Sequence, residues 1–259
     1  MTEQVYSEFS VGSVFSKTFS LMKTNIVSYL IFIIAMAIIS ASLSGVFLEY
    51  LGLRGGFFPT TFETSILGIY AISMIFTLLF YSFIGTVVID SSLAALNNNP
   101  INIATHTSKA IRMLIPMAIL YIVLYLLAVF GLMLLIIPGL IVITMFAVAI
   151  EAKVAEDLPI FKALSRSRQL TKGHRWAIFA LILIPYLILV LLGFAVVGFN
   201  LSPDTAQIEE LFSFQNQLIS ALYNSVYLVF NYVLFTVAYS QLVSSKEGGQ
   251  VENVSDVFA

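Results

Sequence analysis

Long apolar runs alternate with short polar connections along this chain. A bilayer core of roughly 30 Å is crossed by about 20 apolar residues in a helix, so each run is a candidate span. The six candidates are Ile26–Phe47, Ile66–Ile89, Met113–Ile137, Gly139–Lys153, Ala177–Phe199 and Leu218–Val243. The runs lack the apolar–polar alternation of β-barrel strands. The pattern therefore predicts an all-α polytopic membrane protein with six transmembrane helices.

The stretch Met113–Ile150 decides the number of spans. As one helix it would be about 57 Å long, nearly twice the thickness of the hydrocarbon core. Pro138 and Gly139 lie inside it, and such a pair favours a tight reversal of the chain. A hairpin at Pro138-Gly139 gives six spans, whereas a single kinked helix would give five.

The cations are distributed unequally between the two predicted sides of the membrane. Arg54 is the only one in the connections predicted to be external, and the connection with Asp204, Glu209 and Glu210 has none. The other side carries Lys17, Lys23, Lys109, Arg112, Lys153, Lys162, Arg166, Arg168, Lys172, Arg175 and Lys246. Cytoplasmic connections are enriched in Lys and Arg, so both termini are predicted to be cytoplasmic.

Each odd-numbered span follows a short amphipathic stretch that carries cations. The apolar faces are Val11, Val14, Phe15 and Met22; then Ile103, Thr107, Ala110, Ile111 and Leu114; then Ile160, Ala163, Leu164 and Ser167. We expect these stretches to be cytoplasmic interfacial helices. The third is predicted to begin with Asp157 as its N-cap and to end at Lys172-Gly173. A single membrane domain of three repeats follows, at about 9–90, 101–157 and 158–243, with a flexible cytoplasmic tail over 244–259.

One segment, Leu135–Trp176, resembles the YciC-like family of uncharacterised bacterial inner-membrane proteins. It is also similar to the membrane domain of some glycerophosphoryl diester phosphodiesterases. The shared elements are the Pro138-Gly139 turn, an apolar run and the small, basic stretch Ala163–Thr171. The resemblance implies a location in the bacterial inner membrane and supplies no catalytic or ligand residues.

Composition narrows the classes of function. Hydrophobic residues make up 59% of the chain and charged residues 10%, and the mean hydropathy is +0.99. A soluble domain of this length needs more polar surface than that. Cysteine is absent, and no phosphate loop, nucleophile elbow or metal motif is present. We therefore expect no cofactor, no metal, no enzymatic activity and no nucleic-acid partner.

Four polar residues fall inside or at the edge of predicted spans: Glu151, Asp90, Asn224 and Asn231. Buried ionisable groups in membranes are costly and often functional. Glu151 is expected either to pair with Lys162, Arg166 or Arg168, or to couple a proton or substrate. Asp90 is expected to close its span or to pair with Lys109 or Arg112. The two asparagines share a helix face and are expected to bond a neighbouring helix or to line a transport path.

The remaining candidate site is basic. Its residues are Lys162, Arg166, Arg168, Lys172 and Arg175, with His174 among them. Such clusters attract anionic headgroups by about 1 kcal/mol per cation, and they also set topology. The sequence favours a non-enzymatic membrane protein that acts through lipid contact or as an accessory or scaffold subunit, with a membrane protein or a second copy as possible partner. A small-solute or lipid transporter with Glu151 as coupling carboxylate is the alternative.

Overall fold

The computed structural model describes residues 9–50, 64–197 and 214–247. Within these ranges every regular element is an α-helix, which confirms the all-α prediction there. The helices are α1 (Val11–Thr24), α2 (Ile26–Tyr50), α3 (Thr64–Leu96), α4 (Ile103–Leu134), α5 (Ile136–Met145), α6 (Ala149–Glu156), α7 (Ile160–Thr171), α8 (Arg175–Val197) and α9 (Phe214–Glu247). The acidic residues Asp204, Glu209 and Glu210, together with Arg54, lie outside the described residues.

Five helical stretches are long and apolar enough to cross a bilayer. They are Ala71–Leu96, Ile103–Leu134, Ile136–Glu156, Arg175–Gly193 and Gln215–Glu247. The stretches Val11–Thr24 and Ile26–Ser42 meet at 90° and give a sixth when they are counted as one broken span. The helices are thus compatible with five to six crossings, and α9 includes residues 244–247 of the predicted tail.

The first amphipathic stretch forms a separate helix, as predicted. Ser10 caps α1 by accepting a hydrogen bond from the Ser13 backbone N–H at 3.2 Å. Val14 and Thr18 are buried one turn apart, whereas Lys17 is exposed. The chain then turns at Asn25, where the 90° bend separates this helix from the apolar α2.

The second amphipathic stretch differs from the prediction because it is the first part of the 32-residue helix α4. Asn102 caps this helix, and nothing breaks it between Ile103 and Leu134. Of the predicted apolar face, Ile103 and Ile111 are exposed and Ala110 is buried. The packed face is His106, Ala110, Met113 and Met117, whose spacing of three and four residues forms one continuous stripe against the bundle.

The helical hairpin inside residues 113–150 is present, but its reversal lies three residues before the predicted one. The break is Leu135, whose φ of −171° and ψ of 156° are extended. Pro138 instead occupies the first turn of α5, where a missing N–H costs nothing. Gly131 and Gly139 permit the contact between the two helices. A Cβ on Gly139 would lie 2.8 Å from the Leu132 Cα atom.

The helices bury most of their side chains at one end of the bundle, around the second half of α9. Val233, Leu234, Val237, Ala238 and Leu242 of this helix are fully buried. One apolar cluster joins Leu234, Val237, Ala238 and Leu242 to α1, α6, α7 and α8. A second cluster joins α9 to α2 and α3, and a third joins α3, α4, α6 and α7. Helix α9 is therefore the common packing partner of the cation-bearing end of the molecule.

The α4–α5 contact generates a test with a matched glycine control. We expect Gly139→Ala to lower the free energy of unfolding in detergent by about 1–3 kcal/mol, because the added Cβ overlaps Leu132. Gly12→Ala in α1 meets nothing within 4 Å and should leave stability unchanged or raise it by roughly 0.5–1 kcal/mol. Equal stability of the two variants would contradict this packing.

Candidate functional site

The fourth candidate span is broken near its middle. Helix α5 ends at Met145, a turn covers residues 146–148, and α6 begins at Ala149. A helix end inside a membrane segment leaves backbone groups that need partners from elsewhere in the protein. No glycine or proline marks this break, which is why the sequence predicts one continuous run from Gly139 to Lys153.

Two hydroxyl side chains of α7 bond the backbone at this break. The Ser167 hydroxyl donates to the Met145 carbonyl at 3.0 Å and accepts from the Val148 N–H at 3.3 Å. The Thr171 hydroxyl also donates to the Met145 carbonyl, at 3.2 Å. Serine and threonine lie four residues apart, so both point from the same face of α7. These bonds fix α7 against the fourth span.

The connection between α6 and α7 corrects the predicted cap. Asp157 does not cap α7; it ends α6 in the left-handed conformation, with φ of 46°. Pro159 directly precedes α7, and the buried Lys153 ammonium donates to the Leu158 carbonyl at 2.9 Å. The predicted end of α7 is confirmed, because Lys172 leaves the helix and Gly173 has φ of +93°.

Arg166 belongs to an ion-pair network and not to the outer surface of α7. Its guanidinium donates to Glu156 at 2.7 Å and to Glu247 at the end of α9. The Tyr239 hydroxyl donates to the same Glu156 carboxylate. The hydrogen bonds to Glu247 and Glu156 raise the pKa of Arg166 above its usual value. Arg166 therefore joins α6, α7 and α9 and is already neutralised.

The outward face of α7 consists of Phe161, Ser165, Arg168 and Lys172, all of them exposed. These four residues, hereafter the outer face of α7, follow a spacing of four, three and four residues. Phe161 is 81% exposed, and Trp176, just beyond the turn, is 85% exposed. Lys162 is exposed beside this face, whereas Arg175 is half-buried. The predicted basic cluster is thus divided between a surface and a packed network.

His174 lies in the turn between α7 and α8 and packs edge-on against the Phe9 ring, with centroids 5.1 Å apart. Burial and the neighbouring Lys246 ammonium lower the pKa of His174 below its ordinary value. It is therefore a packed, neutral residue at pH 7, and it adds no positive charge to the outer face of α7.

Glu151 lies in the first turn of α6, and the predicted pairing with Lys162, Arg166 or Arg168 is wrong. Lys162 and Arg168 point outward, and Arg166 binds Glu156 and Glu247. Glu151 is only 3% exposed. Among the described residues no group bonds its Oε2 atom.

Asp90 is paired within the bundle. Its carboxylate accepts from the Lys109 ammonium at 2.7 Å, as one prediction had it, and contacts the His106 Nδ1 atom at 2.6 Å. His106 is buried. The three residues join α3 to the first turns of α4. Arg112 is exposed at this point of the helix.

Asn224 and Asn231 do not make the expected bonds to a neighbouring helix. Both amides donate at 2.8 Å to backbone carbonyls one turn earlier in α9, those of Ser220 and Tyr227. Asn224 is also exposed at the outside of the bundle. Each amide is thus satisfied within its own helix, as polar side chains inside membrane helices commonly are.

The family model for a domain of unknown function, DUF7847, matches residues 103–242. The chain belongs to this family. The matched region begins at α4 and ends in the last turns of α9, so it contains the broken span, α7 and Glu151. No curated protein and no solved structure matches the chain. No group of His, Cys, Asp and Glu suited to a metal ion occurs in the described ranges.

The bonds at the break predict a loss of stability in a specific variant. Ser167→Ala removes a donor to Met145 and the acceptor of the Val148 N–H, so we expect unfolding in detergent to become easier by about 1–3 kcal/mol. Thr171→Val should lower the free energy of unfolding by less, because the Met145 carbonyl keeps its hydrogen bond from Ser167. Ser165→Ala on the exposed face is the control, and a cost equal to that of Ser167→Ala would refute the assignment.

Proposed function

We propose that this DUF7847 protein is a non-enzymatic multi-pass membrane protein that acts through contact between its cytoplasmic face and anionic lipid headgroups, as an accessory or scaffold protein. The observation that carries the proposal is the outer face of α7. There, Arg168 and Lys172 lie on one exposed surface with Phe161, and Trp176 follows after the turn.

This combination suits a membrane interface for two reasons. Exposed cations near an anionic surface gain about 1 kcal/mol each, whereas aromatic rings prefer the level of the headgroups. In water, side chains as exposed as Phe161 and Trp176 would be unfavourable. Arg166 contributes to this contact only indirectly, because its two carboxylate partners hold α7 in place.

The exposed apolar surface of the bundle supports residence in a membrane. The residues of the α4–α5 turn from Met133 to Ile137 are between 70% and 77% exposed. Large apolar side chains are also exposed along α2, α3, α4, α8 and the first half of α9. A patch of this size is not tolerated by a soluble monomer, and lipid acyl chains are its natural surroundings.

The six-span arrangement with both termini in the cytoplasm stays part of the proposal. Helices α1, α7 and the end of α9 share one buried cluster, so the elements that carry most of the described cations lie at the same end of the bundle. Counting α1 and α2 as one broken span gives the even number that this topology requires. We likewise propose a location in the bacterial inner membrane and a relationship to the YciC-like family. The partner that we propose is another membrane protein or a second copy of the chain.

Trp176 allows a direct test, since it is the only tryptophan of the chain. The protein is reconstituted in phosphatidylcholine vesicles containing phosphatidylglycerol, and one lipid class at a time carries bromine as a fluorescence quencher. We expect brominated phosphatidylglycerol to quench Trp176 more strongly than brominated phosphatidylcholine at the same mole fraction. Two cations favour the anionic lipid by up to about 2 kcal/mol.

The variant that should remove this preference is Arg168→Gln with Lys172→Gln. The matched control is Lys17→Gln with Lys23→Gln, which removes the same charge from exposed positions on α1. Equal quenching by the two lipid classes in the unmodified protein would contradict the proposal. So would a preference that survives the α7 double variant or disappears in the α1 control.

A further inference from the structure

Four helices meet at a small polar group inside the bundle. Tyr121 of α4 donates a hydrogen bond to the Tyr232 hydroxyl of α9 at 3.2 Å. Gly85 of α3 leaves room for this pair, because a Cβ there would lie 2.7 Å from the Tyr121 hydroxyl. Ala149 and Ile150, the two residues that precede Glu151 in α6, pack in one apolar cluster with Tyr121 and Tyr232.

The group contains one unused acceptor and one unused donor. Glu151 Oε2 is buried and receives no hydrogen bond in the described part of the chain. The Tyr232 hydroxyl accepts from Tyr121, and no acceptor for its own proton is found among the described side chains. A hydroxyl pair beside a carboxyl group can donate to the ionised form or accept from the protonated form. The tyrosine pair thus has the donor that an ionised Glu151 needs and the acceptor that a protonated Glu151 needs.

No counter-charge faces Glu151 from the helices packed against α6. From α4 and α9 the titratable groups are Tyr121 and Tyr232, and α3 contributes the apolar Ile89 to the same cluster. Arg166 of α7 is bonded to Glu156 and Glu247, and Lys153 of α6 itself is bonded to the Leu158 carbonyl. A buried carboxylate without a cation is strongly unfavourable, and protonation removes the charge.

We propose that Glu151, with the Tyr121–Tyr232 pair, is a reversible proton-binding site within the bundle. In the binding step a proton from water forms an O–H bond at the Glu151 carboxylate, and the charge of the site changes from −1 to zero. Release reverses the step and returns the proton to water. The site adjoins the turn at residues 146–148, and coupling-ion sites in transporters typically lie beside such breaks in membrane helices.

Infrared spectroscopy of the intact protein in vesicles tests this site. At neutral pH we expect the carbonyl-stretch band of a protonated carboxyl group, lost reversibly as the pH is raised. Glu151→Gln should abolish the band. Asp157→Asn is the matched control, since it replaces an exposed carboxyl group six residues later and should leave the band intact. A band that persists in Glu151→Gln, or its absence from the unmodified protein, would overturn the proposal.

A second measurement covers the case in which Glu151→Gln does not accumulate. Transfer of the unmodified protein to D₂O should shift the band, because the bound proton exchanges with water. Tyr232→Phe, which keeps the ring and removes the hydroxyl, should move the titration midpoint by roughly one pH unit. A band insensitive to D₂O, or a midpoint unchanged by Tyr232→Phe, would show that the carboxyl group is not the exchangeable site described here.

Discussion

The contact on which this structure depends is made by two hydroxyl groups and one carbonyl. Ser167 and Thr171 of α7 both donate to Met145, where the fourth candidate span breaks. Without them a carbonyl and an N–H would be left without partners in an apolar environment, at a cost of several kcal/mol per group. The break therefore requires α7, and the position of α7 is set by the break.

The other features of this end of the molecule follow from that contact. Once one face of α7 is held against the fourth span, Arg166 is directed toward Glu156 and Glu247, and the opposite face is directed outward. The break also begins α6 at Ala149, so that Glu151 lies in the first turn of a helix that packs against α3, α4, α7 and α9. The proposed lipid surface and the proposed proton site thus depend on the same two hydroxyl groups.

Much of this architecture can be predicted from the sequence because the signals are periodic. Uninterrupted apolar runs indicate the long helices, and the spacing of Ala163, Leu164 and Ser167 places them on one face of α7, which the structure buries against the bundle. The conformational preferences of single residues such as proline did not locate the chain reversal. The first turn of a helix tolerates proline, and Pro138 therefore lies at the start of α5. The reversal of the chain falls earlier, at Leu135. In α4 apolar residues occur all round the helix, so periodicity alone does not identify the stripe of Ala110, Met113 and Met117 that packs against the bundle.

The candidate site could be predicted only in part, because its contacts join residues distant in sequence. From the sequence, Ser167 is predicted only as a small residue on the apolar face of α7. Its hydrogen bond to the Met145 carbonyl depends on the fold. Arg166 is predicted as a surface cation, because the sequence does not show that Glu247, in the last turn of α9, lies beside it. The sequence also indicates Glu151 as a buried carboxylate, but the tyrosines of α4 and α9 that pack against its turn of α6 carry no charge pattern to identify them.

The depth of α7 in the membrane tests the central claim most directly. The chain has no cysteine, so a single cysteine at Ser165, in the middle of the outer face of α7, can carry a spin label without other changes. Relaxation by oxygen and by a water-soluble nickel complex then reports the depth of the label in anionic vesicles. We expect the ratio of oxygen to nickel relaxation at this label to lie between the value for bulk water and the value for the acyl region, as for a position among the headgroups. A ratio equal to that of a label in bulk water would contradict the proposed contact.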